Sequence, residues 1–130
     1  MKYVILIHSN PDPWGHPTVD FTTEGRQLDP TLRAEMDRRF EELLTTLSAS
    51  GELVLGEALG DPAAATIYRW QGSGHVATDG PYAETKERLA GFFLIDVDSP
   101  ERADEIAAVF ASPGDVIELR PAMWPGGPNT

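Results

Sequence analysis

The chain contains no cysteine. Disulfide bonds, thiolate metal sites and cysteine nucleophiles are therefore excluded from its structure and chemistry. Neither the phosphate-binding GxxxxGK[ST] loop nor the GxSxG nucleophile elbow occurs in the sequence. Histidine is scarce, and His16 and His75 do not belong to a His-x-x-x-His pair of the kind that binds a metal on a helix. We accordingly predict neither a metal site nor an organic cofactor.

Positive charge is also scarce. Lys and Arg number 10 against 21 Asp and Glu, which gives a formal net charge of -11. Nucleic-acid binding depends on cationic contacts to phosphates, so we expect no DNA or RNA partner. The acidity also disfavours anionic membrane surfaces, and no apolar run approaches the ~20 residues that span a bilayer. The apolar segment Tyr3–Ile7 is too short for a signal peptide, and we predict a soluble, cytoplasmic protein.

What is present fits one globular domain. The chain has 130 residues, of which 41% are hydrophobic and 24% charged. That length matches the ~100–150-residue mode of single domains, and the composition is far from that of disordered chains. We predict one domain over residues 1–121, followed by a tail rich in Pro and Gly over residues 122–130.

The periodicity of the apolar residues predicts alternating strands and helices. Short apolar, β-branched runs indicate strands, and Asp29-Pro30 and Ser99-Pro100 are helix start signals in which a capping side chain precedes a proline. The predicted strands are Tyr3–Ile7, the segment from Leu53, a hairpin of Thr66–Trp70 and His75–Thr78, Gly91–Val97 and Val116–Leu119. Ser9–Leu28 carries several Pro and Gly residues, and we predict a long loop there that acts as a lid.

The element order is β-α-β, a hairpin, then β-α-β. This order predicts an α+β fold, the split βαβ or ferredoxin-like sandwich, with an extra hairpin strand in its middle. Two helices can cover only one face of such a sheet. The other face would stay exposed and apolar, and pairing two sheets in a homodimer would bury it.

The segment Thr78–Glu87 reads TDGPYAETKE. It resembles the Asp-Gly-Pro-Phe signature of the DGPF branch of the YCII-related family, with Tyr82 in place of the Phe. Gly91–Ile95, the Ser99-Pro100-Glu101 helix start and the closing Ile117–Pro121 are also similar to that family. The resemblance implies a homodimer that forms a dimeric α/β barrel, a role that is largely unassigned, and in some members a link to sigma factors. A few relatives resemble lyases that act on chlorinated aromatic rings through a His-Asp pair.

The candidate catalytic residues each have a structural as well as a functional interpretation. Asp79 follows a predicted strand end, where it could act as a general base or orient a histidine; alternatively, it caps an Asx-type turn through backbone N–H groups. His8 ends the first strand and could be the partner in a His-Asp pair, although a structural histidine is the commoner outcome. We predict His8 and Asp79 as catalytic residues.

Four further residues are predicted to bind a ligand: Tyr82, Glu84, Lys86 and Trp14. Lys86 is one of few cations in an acidic chain and could anchor an anionic group, whereas a solvated ion pair is the alternative. Trp14 could line a pocket, and ordinary packing is its alternative.

The function predicted first is a homodimer that binds an unknown small molecule and carries out proton-transfer chemistry of the lyase or isomerase type. The alternative is a non-catalytic regulatory module that binds a protein such as a sigma factor. A cofactor-free oxygenase is a third possibility, by analogy with the fold alone.

Overall fold

The computed structural model describes residues 1–16, 18–80 and 88–123. It is a mixed α+β structure with antiparallel sheets, compatible with a ferredoxin-like fold. The strands are β1 (Lys2–Ser9), β2 (Leu53–Ala58), β3 (Thr66–Gln71), β4 (Gly74–Asp79), β5 (Arg88–Asp96) and β6 (Asp115–Pro121). The helices are α1 (Thr23–Arg26), α2 (Pro30–Ser50) and α3 (Pro100–Phe110), with 3₁₀ turns at Val19–Phe21 and Pro62–Ala64. None of the helices described is long and apolar enough to cross a membrane.

The main sheet has four strands in the order β2-β5-β1-β6, and each neighbouring pair is antiparallel. Helix α2 joins β1 to β2, and α3 joins β5 to β6, which is the split βαβ connectivity that the sequence predicted. The predicted hairpin is confirmed, since β3 pairs with β4 through a turn at Gly72, where φ is 60°. It forms a separate two-stranded sheet and does not add a strand to the main one.

The two helix starts differ in how they are capped. The Ser99 hydroxyl accepts a hydrogen bond of 3.1 Å from the Arg102 backbone N–H, as the cap-then-proline pattern predicts. Asp29 precedes Pro30 at the start of α2, but its side chain makes no cap hydrogen bond, so that part of the prediction is wrong. Pro30 still fits, because its missing N–H falls in the first turn, where no intrahelical acceptor exists. Gly51 ends α2 in the left-handed region, with φ 79°.

Both long helices cover the same face of the main sheet. The core lies between them and the sheet, where Phe110 packs on Phe40 and Phe93 with ring centroids 5.2 and 4.9 Å apart. The buried side chains of this core are Ile5, Ile7, Leu47, Ile95, Val97, Ala103, Ile106 and Phe110. Alternate residues of β1 therefore point to the helices, as the period of two in a strand requires.

The intervening residues of β1 point to the side of the sheet opposite the helices, which we call the outer face. The register pairs Val4 with Leu94, Leu6 with Phe92 and Leu55 with Leu94. Val116 and Leu55 are 46% and 44% exposed there. The outer-face side chains are Lys2, Val4, Leu6, His8, Leu55, Glu57, Leu89, Phe92, Leu94, Asp96, Val116, Glu118 and Arg120. This surface is apolar at its centre and carries its charged residues along β6, at the end of β2 and at the Lys2–Asp96 pair.

Candidate functional site

A cleft of about 300 Å³ opens between the main sheet and α2. This volume lies at the lower end of the range for small-molecule sites, ~300–1,000 Å³. Its wall is largely apolar. The lining residues are Ile7, His16, Thr18, Phe40, Leu44, Gly56, Glu57, Ala58, Gly91 and Phe93. We call it the sheet–helix cleft.

The cleft is open because small residues occupy its floor. Gly56 pairs with Phe93 and Ala58 pairs with Gly91, so these four positions face the helices together. A Cβ atom at Gly56 would lie 2.5 Å from the Phe93 ring, and one at Gly91 would lie 2.9 Å from the Glu57 carbonyl oxygen. Larger residues at either glycine would therefore displace the Phe93 ring or the β2 backbone. The Glu57 side chain belongs to the outer face, because Glu57 pairs with Phe92.

The segment between β1 and α2 forms one wall of the cleft through His16 and Thr18. The Thr18 backbone N–H donates to the His16 carbonyl at 2.8 Å, and the Phe21 N–H donates to the Thr18 carbonyl at 3.0 Å. The Trp14 indole N–H donates to the Leu59 carbonyl at 2.9 Å. Trp14, predicted to bind a ligand, is thus a half-buried anchor between this wall and the end of β2.

The far end of the same segment is tied to the turn before β6, next to the place where the end of β1 bonds to β6. The Thr22 hydroxyl donates to the Pro113 carbonyl at 2.8 Å, and the buried Ser9 hydroxyl donates to Asp115 at 2.5 Å. Burial raises the pKa of the Asp115 carboxyl, and hydrogen bonds from Ser9 and Ser112 partly oppose that shift. The predicted long loop therefore contains a 3₁₀ turn and a short helix, and side-chain hydrogen bonds hold it to Leu59 after β2 and to Pro113 before β6. That it moves as a lid stays a prediction.

A smaller cavity of about 40 Å³ lies beyond Thr18 and includes Asp37 of α2. Partial burial, together with a hydrogen bond to the Asp20 carboxyl, raises the pKa of Asp37 to about 6. The Arg33 guanidinium lies 3.3 Å from Asp20 and opposes the shift. An acid that holds its proton at mildly acidic pH thus sits behind the wall of the cleft.

His8 points to the outer face, away from the sheet–helix cleft. Its Nε2 atom lies 3.0 Å from Glu118 Oε1, with 30% of the His8 side chain and 45% of the Glu118 side chain exposed. Arg120 approaches the other Glu118 oxygen at 3.8 Å. The carboxylate that meets His8 is therefore Glu118, and a catalytic role for His8 stays a prediction.

Asp79 lies in the other sheet. It ends β4, pairs with Thr66, and has an exposed side chain. Among the residues described, no hydrogen bond joins its carboxylate to another side chain or to the backbone, and Gly80 donates its N–H to Ala65 at 2.6 Å. The structure thus shows no His8–Asp79 pair within the described residues. The other predicted ligand-binding residues, Tyr82, Glu84 and Lys86, lie outside the residues described.

The residues that line the cleft are not among those predicted from the sequence. His16 was considered only as a metal ligand, and Thr18, Phe40 and Ala58 were not considered for a site. A signal was present, because small residues interrupt β2 and β5 at Gly56, Ala58 and Gly91. Recognising that these interruptions coincide requires the β2–β5 register, which periodicity alone does not give.

The comparison with family models identifies a known domain. The model of the YCII-related domain matches residues 1–113, most of the chain. The chain belongs to the YCII-related family. The match stops before β6, which nevertheless pairs with β1 and completes the main sheet of this YCII-related protein. No curated protein matches the chain at a significant level.

Proposed function

We propose that this YCII-related protein is a homodimer that binds a small organic molecule in the sheet–helix cleft. The observation that carries the proposal is the cleft itself, about 300 Å³ in volume and walled mainly by hydrocarbon. Small-molecule sites are typically concave, mostly apolar and supplied with few polar groups, and this cleft has each of these properties.

The packing around the cleft supports a preformed site. Phe93 on its floor is held by Phe110, which also packs edge-on against Phe40 from α2. Gly56 and Gly91 cannot be enlarged without moving a ring or a strand. The walls of the cleft are therefore already ordered before a ligand binds. Little of the binding free energy would be spent on ordering them.

The outer face supports the homodimer. It presents Val4, Leu6, Phe92 and Leu94 as a contiguous apolar patch in a chain whose net charge is -11. Contiguous apolar patches on soluble proteins mark interaction surfaces, and self-association of an acidic protein requires a contact that carries little net charge. Pairing two outer faces fits both requirements and would give the dimeric α/β barrel of the DGPF-branch resemblance.

Proton-transfer chemistry of the lyase or isomerase type would need a base within reach of the ligand. His16 is the imidazole among the described residues that line the cleft. His8 could serve as the base only if the ligand extended from the cleft to the outer face or to the partner's surface. We therefore favour His16 over His8 as the base for any reaction in this cleft.

The test is to fill the cleft. Ala58 lines the cleft and is exposed, so Ala58→Phe should place a ring in the cleft without disturbing the core. The neutral probe 2-naphthylmethanol should raise the Tm of the wild type and should raise that of Ala58→Phe far less, because a ligand that binds only the native state stabilises it.

The matched control is Ala77→Phe, the same change at an exposed strand residue outside the cleft. It should keep the full Tm shift. Equal shifts in all three proteins would mean that the probe binds elsewhere, and the absence of any shift in the wild type would remove the proposed function.

A further inference from the structure

The polar side chains of the sheet–helix cleft stand on one wall only. Among the described residues that line it, those with polar side chains are His16, Thr18 and Glu57, and Glu57 pairs with Phe92 on the outer face. The floor and the opposite wall are formed by Ile7, Phe93 and α2 residues such as Leu44. A ligand that fits this surface has an apolar body and polar atoms at one end.

The two polar residues are held at a fixed spacing. The backbone bond of 2.8 Å between Thr18 N–H and the His16 carbonyl joins them directly. Trp14 fixes the segment on one side through Leu59, and buried Val19 fixes it on the other. Gly25 packs so closely on Val19 that a Cβ there would collide with the Val19 carbonyl. The end of the cleft that would receive a polar group is therefore built into the fold.

Both side chains can donate. An imidazole carries at least one ring N–H in each protonation state, and a threonine hydroxyl has one O–H. Two donors on one wall are best satisfied by an acceptor with two oxygens, and bonds to a charged acceptor are shorter and stronger than neutral ones. Among the described residues that line the cleft, the carboxylate residue is Glu57, and its pairing with Phe92 assigns its side chain to the outer face, away from a cationic group in the cleft.

We propose that the ligand of the sheet–helix cleft is a small apolar molecule with a single carboxylate. Its carboxylate accepts hydrogen bonds from His16 and Thr18, and its hydrocarbon body lies over Gly91 and Phe93. This inference rests on the proposed function, because it specifies what the same cleft binds. The chain's net charge of -11 opposes an anion at long range, but at physiological salt that repulsion is screened beyond ~8 Å, whereas the contacts in the cleft are local.

The experiment compares three probes with one body: 2-naphthoate, 2-naphthylmethanol and 2-naphthylmethylamine. Binding is measured by titration calorimetry at physiological ionic strength on the wild type, His16→Leu and Thr18→Val. We expect 2-naphthoate to bind at least tenfold tighter than the alcohol and the amine to bind weakest. Each substitution should weaken 2-naphthoate about tenfold, the range for a hydrogen bond to a charged group, and change the alcohol by less than about threefold.

The control is His75→Leu, which removes an exposed histidine from the hairpin and should leave all three affinities unchanged. Equal binding of the three probes, or a preference for 2-naphthoate that survives both cleft substitutions, overturns the carboxylate inference. With either of these outcomes, the proposed function still stands if the alcohol binds the wild type and Ala58→Phe prevents that binding. Only the carboxylate inference is then lost. Failure of every probe to bind the wild type overturns both.

Discussion

The two faces of the main sheet are built from the same strands and have different surroundings. On the helix-covered face, Ile5 and Ile95 are fully buried beneath α2 and α3. One residue further along each strand, Leu6 and Asp96 point the other way, and Leu6 is only partly buried. A period of two places each side chain on one face or the other, and the helices decide which face becomes core. The face that lacks helices is the one that we propose is covered in a homodimer.

The largest expected effect is on the free energy of unfolding. It compares substitutions at two adjacent residues of β1, one on each face of the sheet. Ile5→Ala should lower the free energy of unfolding by about 3 kcal/mol, because it removes buried methylenes and leaves a cavity beneath the helices. Leu6→Ala should cost less than half as much in the monomer, since Leu6 already contacts solvent. Urea denaturation at protein concentrations low enough to keep the chain monomeric measures both values, and equal losses would show that the outer face is as well packed as the core.

The second effect concerns the outer face itself. Leu94→Arg places a charge at the centre of the apolar patch, so the variant should remain near 14.2 kDa at micromolar concentration while the wild type is twice that mass. Multi-angle light scattering gives the masses. Thr46→Arg, on an exposed turn of α2, makes a matched change of charge and should leave the dimer intact. A monomeric wild type would contradict the proposed pairing, and a dimeric Leu94→Arg would place the interface elsewhere.

Much of the architecture could be predicted from the sequence, because it depends on local signals. Ser99-Pro100 and Asp29-Pro30 mark the starts of α3 and α2, and Gly51 ends α2 in the conformation that favours glycine. The alternation in Thr66–Trp70 and the glycines that follow gave the hairpin. The hairpin's separation from the main sheet was not predictable in this way, because strand pairing between distant segments depends on packing and register.

The candidate site was predicted far less well, because it depends on contacts between residues distant in sequence. His8 meets Glu118 from β6, 110 residues away, and no spacing rule connects them. The sheet–helix cleft exists because Gly56 and Ala58 of β2 lie beside Phe93 and Gly91 of β5. The sequence does show polar residues in the segment before α2, but only the fold shows that His16 and Thr18 face an opening over that floor.

The smallest effect is a pH dependence on the helix-covered side, where Asp37 has a pKa of about 6 against an ordinary value of 3.8. Below pH 3.8 the carboxyl is protonated in both the folded and the unfolded chain. As the pH rises from 3.8 to about 6, the unfolded chain releases this proton first, so stability falls across that window. Asp37→Asn has no proton to release and should avoid the loss.

The free energy of unfolding of Asp37→Asn relative to the wild type should therefore increase between pH 3.5 and pH 7. We expect a gain below about 1 kcal/mol, because the side chain is only partly buried and solvent screens its interaction with Asp20. Urea denaturation at both pH values gives the difference, and contributions from groups that do not interact with Asp37 cancel between the two proteins. Asp104→Asn, at an exposed position of α3, is the control and should show no such trend. A constant difference for Asp37→Asn would contradict the raised pKa of the Asp37 carboxyl.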